Sequence, residues 1–164
     1  MSMEIERKFL LCGEEWRAMT KGELYRQGYL GISPACSVRV RLAGQRAFLG
    51  VKGAGDGPVH EEYEYPIPLA EAEALLERMA EKPLIEKIRY KVLFDGLIWE
   101  VDEFLGENTG LILAEVELES ETQKISKPSW IGVEVTGDPR YFNASLVRYP
   151  FSQWKNQGNA DLFS

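Results

Sequence analysis

Apolar and charged positions alternate with period two in a series of short stretches: Met3 to Leu11, Ala35 to Ala43, Ala47 to Lys52, His60 to Ile67, Ile85 to Phe94, Leu97 to Phe104, Leu111 to Glu119 and Trp130 to Val135. Such alternation places successive side chains on opposite faces of a strand, so the pattern predicts about eight strands. Turn signals at Ala43-Gly44-Gln45, at Gly53-Ala54-Gly55-Asp56-Gly57-Pro58 and at Asp95-Gly96 join neighbouring strands as hairpins, which makes the sheet largely antiparallel. One stretch breaks to helical spacing. Leu69 to Lys82, opened by Pro68 and closed by Pro83, predicts a helix with Ala70, Ala74, Leu75 and Met79 on one stripe. Shorter helices are expected at Glu14 to Lys21 and Tyr141 to Val147, packed outside or at one end. The expected class is α+β, mainly β.

The polar faces of these strands are sorted by sign. Glu4, Glu6 and Lys8 share a face, with Ile5 and Phe9 opposite. Arg39 and Arg41 stand together, as do Glu62 and Glu64; Lys87, Arg89 and Lys91; Glu100 and Asp102; and Glu115, Glu117 and Glu119. A solvated face of a one-sided antiparallel sheet explains any one of these strands. It explains the set less well, because a solvated face mixes both signs with Ser, Thr and Gln. In a closed eight-stranded antiparallel barrel the same residues form an acidic wall facing a basic wall. Arg and Lys then contact phosphate oxygens, and Asp and Glu hold Mg2+ or Mn2+ through hard oxygen ligands. A bound metal lowers the pKa of water, supplying a nucleophile without histidine.

Composition narrows the chemistry further. The 164 residues suit one domain spanning 1–164, and no apolar run approaches the length of a membrane helix. The charged first residues leave no room for a signal peptide, so a cytoplasmic location with no membrane partner is expected. The net charge of −7 argues against a nucleic-acid partner, and any anion must be caught locally. A single histidine, His60, excludes a catalytic triad or a multi-histidine zinc site. Cys12 and Cys36 lack CxxC spacing and are expected to be free thiols.

Taken together, Glu4-Ile5-Glu6-Arg7-Lys8 resembles the ExExK motif of the CYTH superfamily, the triphosphate tunnel metalloenzymes. The strand segments around Arg39 and Arg41, Glu62 and Glu64, Lys87 and Arg89, Glu100 and Asp102, and Glu115 and Glu117 resemble that family's later motifs, in its order. The resemblance runs from about Met3 to Trp154 and implies a tunnel open at both ends. It implies metal-side roles for Glu4, Glu6, Glu115 and Glu117, and less firmly for Glu62, Glu64, Glu100 and Asp102. Lys8, Arg39, Arg41, Lys52, Lys87 and Arg89 would bind phosphate. Lys8 with Tyr29 would position or activate water, and Tyr141-Phe142-Asn143 resembles the start of a C-terminal helix that closes or lines one end. His60 departs from the family pattern, since relatives often carry arginine there. The implied activity is metal-dependent hydrolysis of a small-molecule triphosphate, with inorganic triphosphate foremost and nucleoside or thiamine triphosphates also in view. A class IV type adenylate cyclase and a non-catalytic polyphosphate- or nucleotide-binding module are the alternatives. The reading is compatible with a homodimer.

Overall fold

A computed structural model describes residues 2–55 and 57–157 of the chain, so Asp56 of the glycine-rich turn lies outside the described residues. The strands are β1 (Met3–Leu11), β2 (Glu23–Ile32), β3 (Cys36–Ala43), β4 (Arg46–Gly53), β5 (Val59–Pro66), β6 (Ile85–Phe94), β7 (Leu97–Phe104), β8 (Ile112–Leu118) and β9 (Ile131–Glu134). Their order is β5-β4-β3-β2-β6-β7-β8-β1-β9, and a further β5–β1 pairing closes the first eight into a barrel, every neighbour antiparallel. β9 stays outside the ring. It pairs with the second half of β1, at Phe9 and Leu11, while β5 takes the first half of the same edge from Met3 to Ile5.

The eighth barrel strand is therefore β2, which the alternation pattern does not reveal, and the expected Trp130 to Val135 strand is β9. β2 carries no charged stripe toward the lumen. Its register with β3 and β6 turns Tyr25, Gln27 and Tyr29 inward. Gly28 faces outward beneath a helix and the chain that follows it, where an added Cβ would lie 3.0 Å from the Leu76 Cδ2 of the helix, 2.7 Å from the Ala80 Cβ and 2.8 Å from the Leu84 Cδ2. Only glycine lets strand and helix come this close. That helix, α1 (Leu69–Arg78), ends before the expected Lys82. Lys82 instead donates to the carbonyls of Leu76 and Glu77, satisfying groups left open at the helix end. The buried face also differs from the expected stripe. Ala72 and Leu76 face the barrel, while Ala70 is exposed and Met79 is 67% exposed. Spacing of three and four fits both faces, and contact with Val40, Leu42 and Ala47 selects between them.

The apolar sides of the strands pack outside the barrel as well as under α1. Phe9, Trp99, Val101, Ala114 and Val116 form an outer core with Trp16 and Trp130, the latter carried by the chain leading into β9. Trp16 lies in a 3-10 turn at Glu15–Ala18, where a short helix was expected. A third cluster gathers at one end of the barrel. Inward Tyr29, Ile85, Phe104 and Leu113 meet Tyr141, Leu146, Val147, Phe151 and Trp154 from the C-terminal segment, which includes α2 (Asn143–Arg148). No helix among the described residues is long and apolar enough to cross a membrane.

The tie between β9 and the barrel includes Arg7 on the outer face of β1, which donates to Glu134 at 2.6 and 2.9 Å. This hydrogen bonding lowers the Glu134 pKa, so its contribution to stability is present above the ordinary carboxyl range and is lost as pH falls through the depressed folded value. The pair is partly exposed, so Arg7→Gln is expected to cost about 0.5–1 kcal/mol near neutral pH. Urea unfolding at descending pH should show that cost vanishing once Glu134 is protonated in both states.

Candidate active site

Cross-strand register decides which side chains meet inside the barrel. Glu4 lies opposite His60, Glu6 opposite Glu117, Lys8 opposite Glu115, and Glu115 also opposite Glu100. Arg89 faces Asp102 and Lys91 faces Glu100; Arg39 pairs with Tyr29 and Arg41 with Gln27. Partners in register share a face, so all of these turn into the lumen, together with Lys52, Glu62, Glu64 and Lys87. The strand order then separates the signs. β5, β1, β8 and β7 are adjacent and carry the carboxylates, with Lys8 at the inner end of β1; β6, β2, β3 and β4 are adjacent and carry the other cations.

Ion pairs mark the two seams where these halves meet. At the β6–β7 seam Arg89 holds Asp102 in a two-pronged contact, 2.8 Å on each arm, and reaches Glu100 at 3.2 Å. At the other seam Lys52 lies 3.1 Å from Glu4 Oε1, and Arg39 lies 3.5 Å from Glu64. Gly50 sits in register between Arg39 and Glu64, and its missing side chain opens the path across β4. Glu62 and Glu64 thus stand over arginines, at 4.0 Å and 3.5 Å from Arg39 Nη2. Asp102, 1% exposed, lies beneath Arg89 and Lys87 and does not line the cavity.

Away from the seams, like charges crowd. Burial, Glu115 and Glu4 push the Glu6 carboxyl well above its ordinary pKa, and it hydrogen-bonds Glu115. Burial would raise Glu115 as well, but Lys8, the bond from Glu6 and Arg89 hold it well below the usual range. Glu117 is raised by burial and by Glu4 and Glu100. Across the lumen, burial together with Arg89 and Arg41 brings Lys87 down to about 7 despite Asp102. Burial, Arg39 and Arg89 bring Arg41 down to about 10. Each half carries more charge of its own sign than it can neutralise. Tyr25, 4% exposed on the neutral strand β2, separates two cations: Arg41 and Arg89 stack on its ring at 5.5 and 4.9 Å.

A cavity of about 480 Å3 runs between the halves, within the size range of small-molecule sites. Its lining extends from Arg46, Phe48 and Lys91 at one end to Ser33, Gly55 and Gly137 at the other, and includes Tyr29 and His60. Beside the C-terminal segment, Lys8 Nζ donates to the Tyr141 carbonyl at 3.0 Å and lies 5.6 Å from the Phe142 ring centroid. Glu4, Glu6, Glu115 and Glu117 match a hard divalent cation in donor chemistry. Glu6 lies buried beside Glu115 and Glu4, although no three acidic, histidine or cysteine groups among the described residues already converge as a metal cage. Gln27, Tyr25, Gly50 and Asn143 belong to this site without any signal in the alternation pattern.

An eight-stranded antiparallel barrel whose charged lumen is divided lengthwise by sign is a tunnel barrel. The chain belongs to the CYTH domain family, whose profile matches residues 2–148. It is 52% identical over 155 residues to an inorganic triphosphatase of Acetivibrio thermocellus, covering 94% of this chain and 99% of that protein. An inorganic triphosphatase of Nitrosomonas europaea is 40% identical over 153 residues, covering 88% and 96% respectively. A crystal structure of an inorganic triphosphatase matches with TM-score 0.64 at 36% identity, over 87% of this chain and 96% of that one.

The two roles for carboxylates make opposite predictions for metal-free protein. Glu6→Gln removes a crowded acid and should stabilise the fold by roughly 1 kcal/mol at neutral pH. The gain should fade toward pH 4, where a carboxyl of raised pKa is protonated in both states. Asp102→Asn strips Arg89 and Lys87 of a shared buried partner and should cost about 3–5 kcal/mol. Thermal and urea unfolding of both variants would measure this, and destabilisation by Glu6→Gln would contradict the assignment of Glu6 to the crowded acidic half.

Proposed function

We propose that this chain hydrolyses inorganic triphosphate to pyrophosphate and orthophosphate, with a divalent metal, in one domain. The observation that carries the reading is the lengthwise division of a buried tunnel into an acidic and a basic half, each carrying an excess of its own charge. Such a lumen is relieved when an anion lies on one half and a cation on the other, and a triphosphate with its metal supplies both. The similarity to triphosphatases at 52% and 40% identity supports the substrate.

In this reading Arg39, Arg41, Lys87 and Arg89 hold the phosphate chain, with Lys8 and Lys52 completing the grip at the two edges of the acidic half. Held there, the terminal phosphoryl oxygens have their charge balanced before the P–O bond breaks, and orientation replaces random encounter. Glu4, Glu6, Glu115 and Glu117 would hold Mg2+ or Mn2+, which when bound neutralises phosphoryl charge and lowers the pKa of water. Glu100, Glu62 and Glu64 line the same lumen and orient the cations they face. Tyr29 and Lys8, both lining the cavity, are assigned to positioning the attacking water, whose oxygen forms the new P–O bond as the bridging oxygen departs with pyrophosphate. Asp102 is assigned to holding Arg89 and Lys87. His60 faces Glu4 on the acidic side of the tunnel, where an arginine would add charge that this chain lacks.

Phosphate release from inorganic triphosphate, ATP and thiamine triphosphate, with cyclic AMP assayed in parallel, tests the proposal. The expected result is release that needs Mg2+ or Mn2+, stops with chelator, is fastest on inorganic triphosphate and yields equal amounts of pyrophosphate and orthophosphate. Glu4→Gln should lower kcat at least 100-fold, or about 2.7 kcal/mol in the barrier, with the melting temperature retained. Metal-independent turnover, or cyclic AMP as the main product of ATP, would sink it.

A further inference from the structure

Three cations that project into the tunnel from three different strands are each tethered to an uncharged oxygen. Asn143, the first residue of α2, lines the cavity, and its Oδ1 accepts from Lys87 Nζ at 2.9 Å and from Gln27 Nε2 at 3.1 Å. Gln27, 0% exposed, accepts in turn at its Oε1 from Arg41 Nε at 3.2 Å. Two residues before Asn143, the Tyr141 carbonyl receives Lys8 Nζ. An unbroken chain of hydrogen bonds thus runs from Arg41 through both amides to Lys87. The same 141–143 segment anchors the lysine of the first strand.

The choice of amide over carboxylate has a consequence for ligand binding. A carboxylate would orient a cation equally well but would also neutralise it, leaving less attraction for an anion. An amide oxygen orients it without adding a countercharge. Lys87 also meets Asp102 at 2.8 Å, but Arg89 shares that carboxylate, so one negative charge serves two cations. Gln27 does not line the cavity and can act on a ligand only through Arg41 and Asn143.

We propose that Gln27 and Asn143 are positioning residues of the phosphate subsite: a neutral amide relay that fixes Arg41 and Lys87 without setting a further negative charge beside them, and that links the C-terminal segment to the bound phosphates. The inference rests on the triphosphatase reading and deepens it. It explains why a wholly buried glutamine stands in a strand otherwise facing the lumen with tyrosines.

The near-isosteric changes Asn143→Asp and Gln27→Glu test it, since each keeps an oxygen acceptor and adds a negative charge. Binding of inorganic tripolyphosphate to metal-free protein, followed by calorimetry, should weaken at least 10-fold in each. With metal, KM should rise by a similar factor while kcat changes less, and Asn143→Ala, which loses the tether without adding charge, should raise KM by a smaller factor. A purely structural role would instead lower the melting temperature or the active fraction and leave KM unchanged. Folded Asn143→Asp and Gln27→Glu proteins that bind tripolyphosphate as the wild type does would overturn the inference. If those two variants do not fold, an unchanged KM in Asn143→Ala would overturn it. Failure of the wild type itself to turn over tripolyphosphate with Mg2+ or Mn2+ would remove the triphosphatase reading on which it rests, a result readily told apart from the others.

Discussion

Repulsion between like charges inside a closed ring is the constraint around which this molecule is organised. Eight strands close through the β5–β1 pairing, and the inward side chains are then gathered around one cavity, from buried Lys87 and Asp102 to exposed Glu64, Lys91 and Glu117. Opposite charges distributed evenly there would pair off and fill the lumen. Instead the strand order keeps acids beside acids and cations beside cations, and pairing is confined largely to the seams, as with Arg89 and Asp102 or Arg39 and Glu64. Burial first, and like-charged neighbours after it, push Glu6 up on one side and Lys87 and Arg41 down on the other. Such an interior costs stability, and the cost is offset outside it. Trp16, Trp99 and Trp130 pack on one flank, α1 on another, and Tyr141 with Trp154 at one end.

This division of labour connects the sequence to the chemistry. Outward positions on the barrel strands build two of the three apolar clusters, and inward packing is confined to Tyr29, Ile85, Phe104 and Leu113 at one end, so most other inward positions can be chosen for charge. Lys8 shows the coupling at one residue: its backbone carbonyl accepts from Val135 and its amide donates to Thr136 Oγ1, while its side chain reaches the Tyr141 carbonyl. The residues just after β9 and the C-terminal segment thereby fix the lysine's backbone and the direction in which its ammonium points.

Most of the barrel was legible in the sequence because strand period and charge sign coincide. Wherever one face is carboxylate or cation and the other is Val, Ile or Trp, alternation reports the strand and its inward face together, as it does for Glu115 and Glu117 against Val116. β2 escaped for the same reason inverted: Tyr25, Gln27 and Tyr29 point inward while Leu24, Arg26 and Gly28 point outward, so neither face is uniformly apolar. Periodicity also could not say which candidate stripe of α1 is buried, or that Trp130 to Val135 adds an outer strand, since both depend on contacts distant in sequence. Among the site residues, Asp102 was recognisable as inward but not as the partner of two cations. Gln27 and Asn143 are 116 positions apart, and nothing local announces that their amides meet.

The most direct test of a lumen divided by charge is to see where each charge binds. Crystals grown with inorganic tripolyphosphate and Mn2+, measured at the manganese absorption edge, should place the anomalous peak among Glu4, Glu6, Glu115 and Glu117. The phosphate chain should lie against Arg39, Arg41, Lys87 and Arg89. Manganese held at Asp102, or phosphate lying along the glutamates with the basic half untouched, would contradict the account.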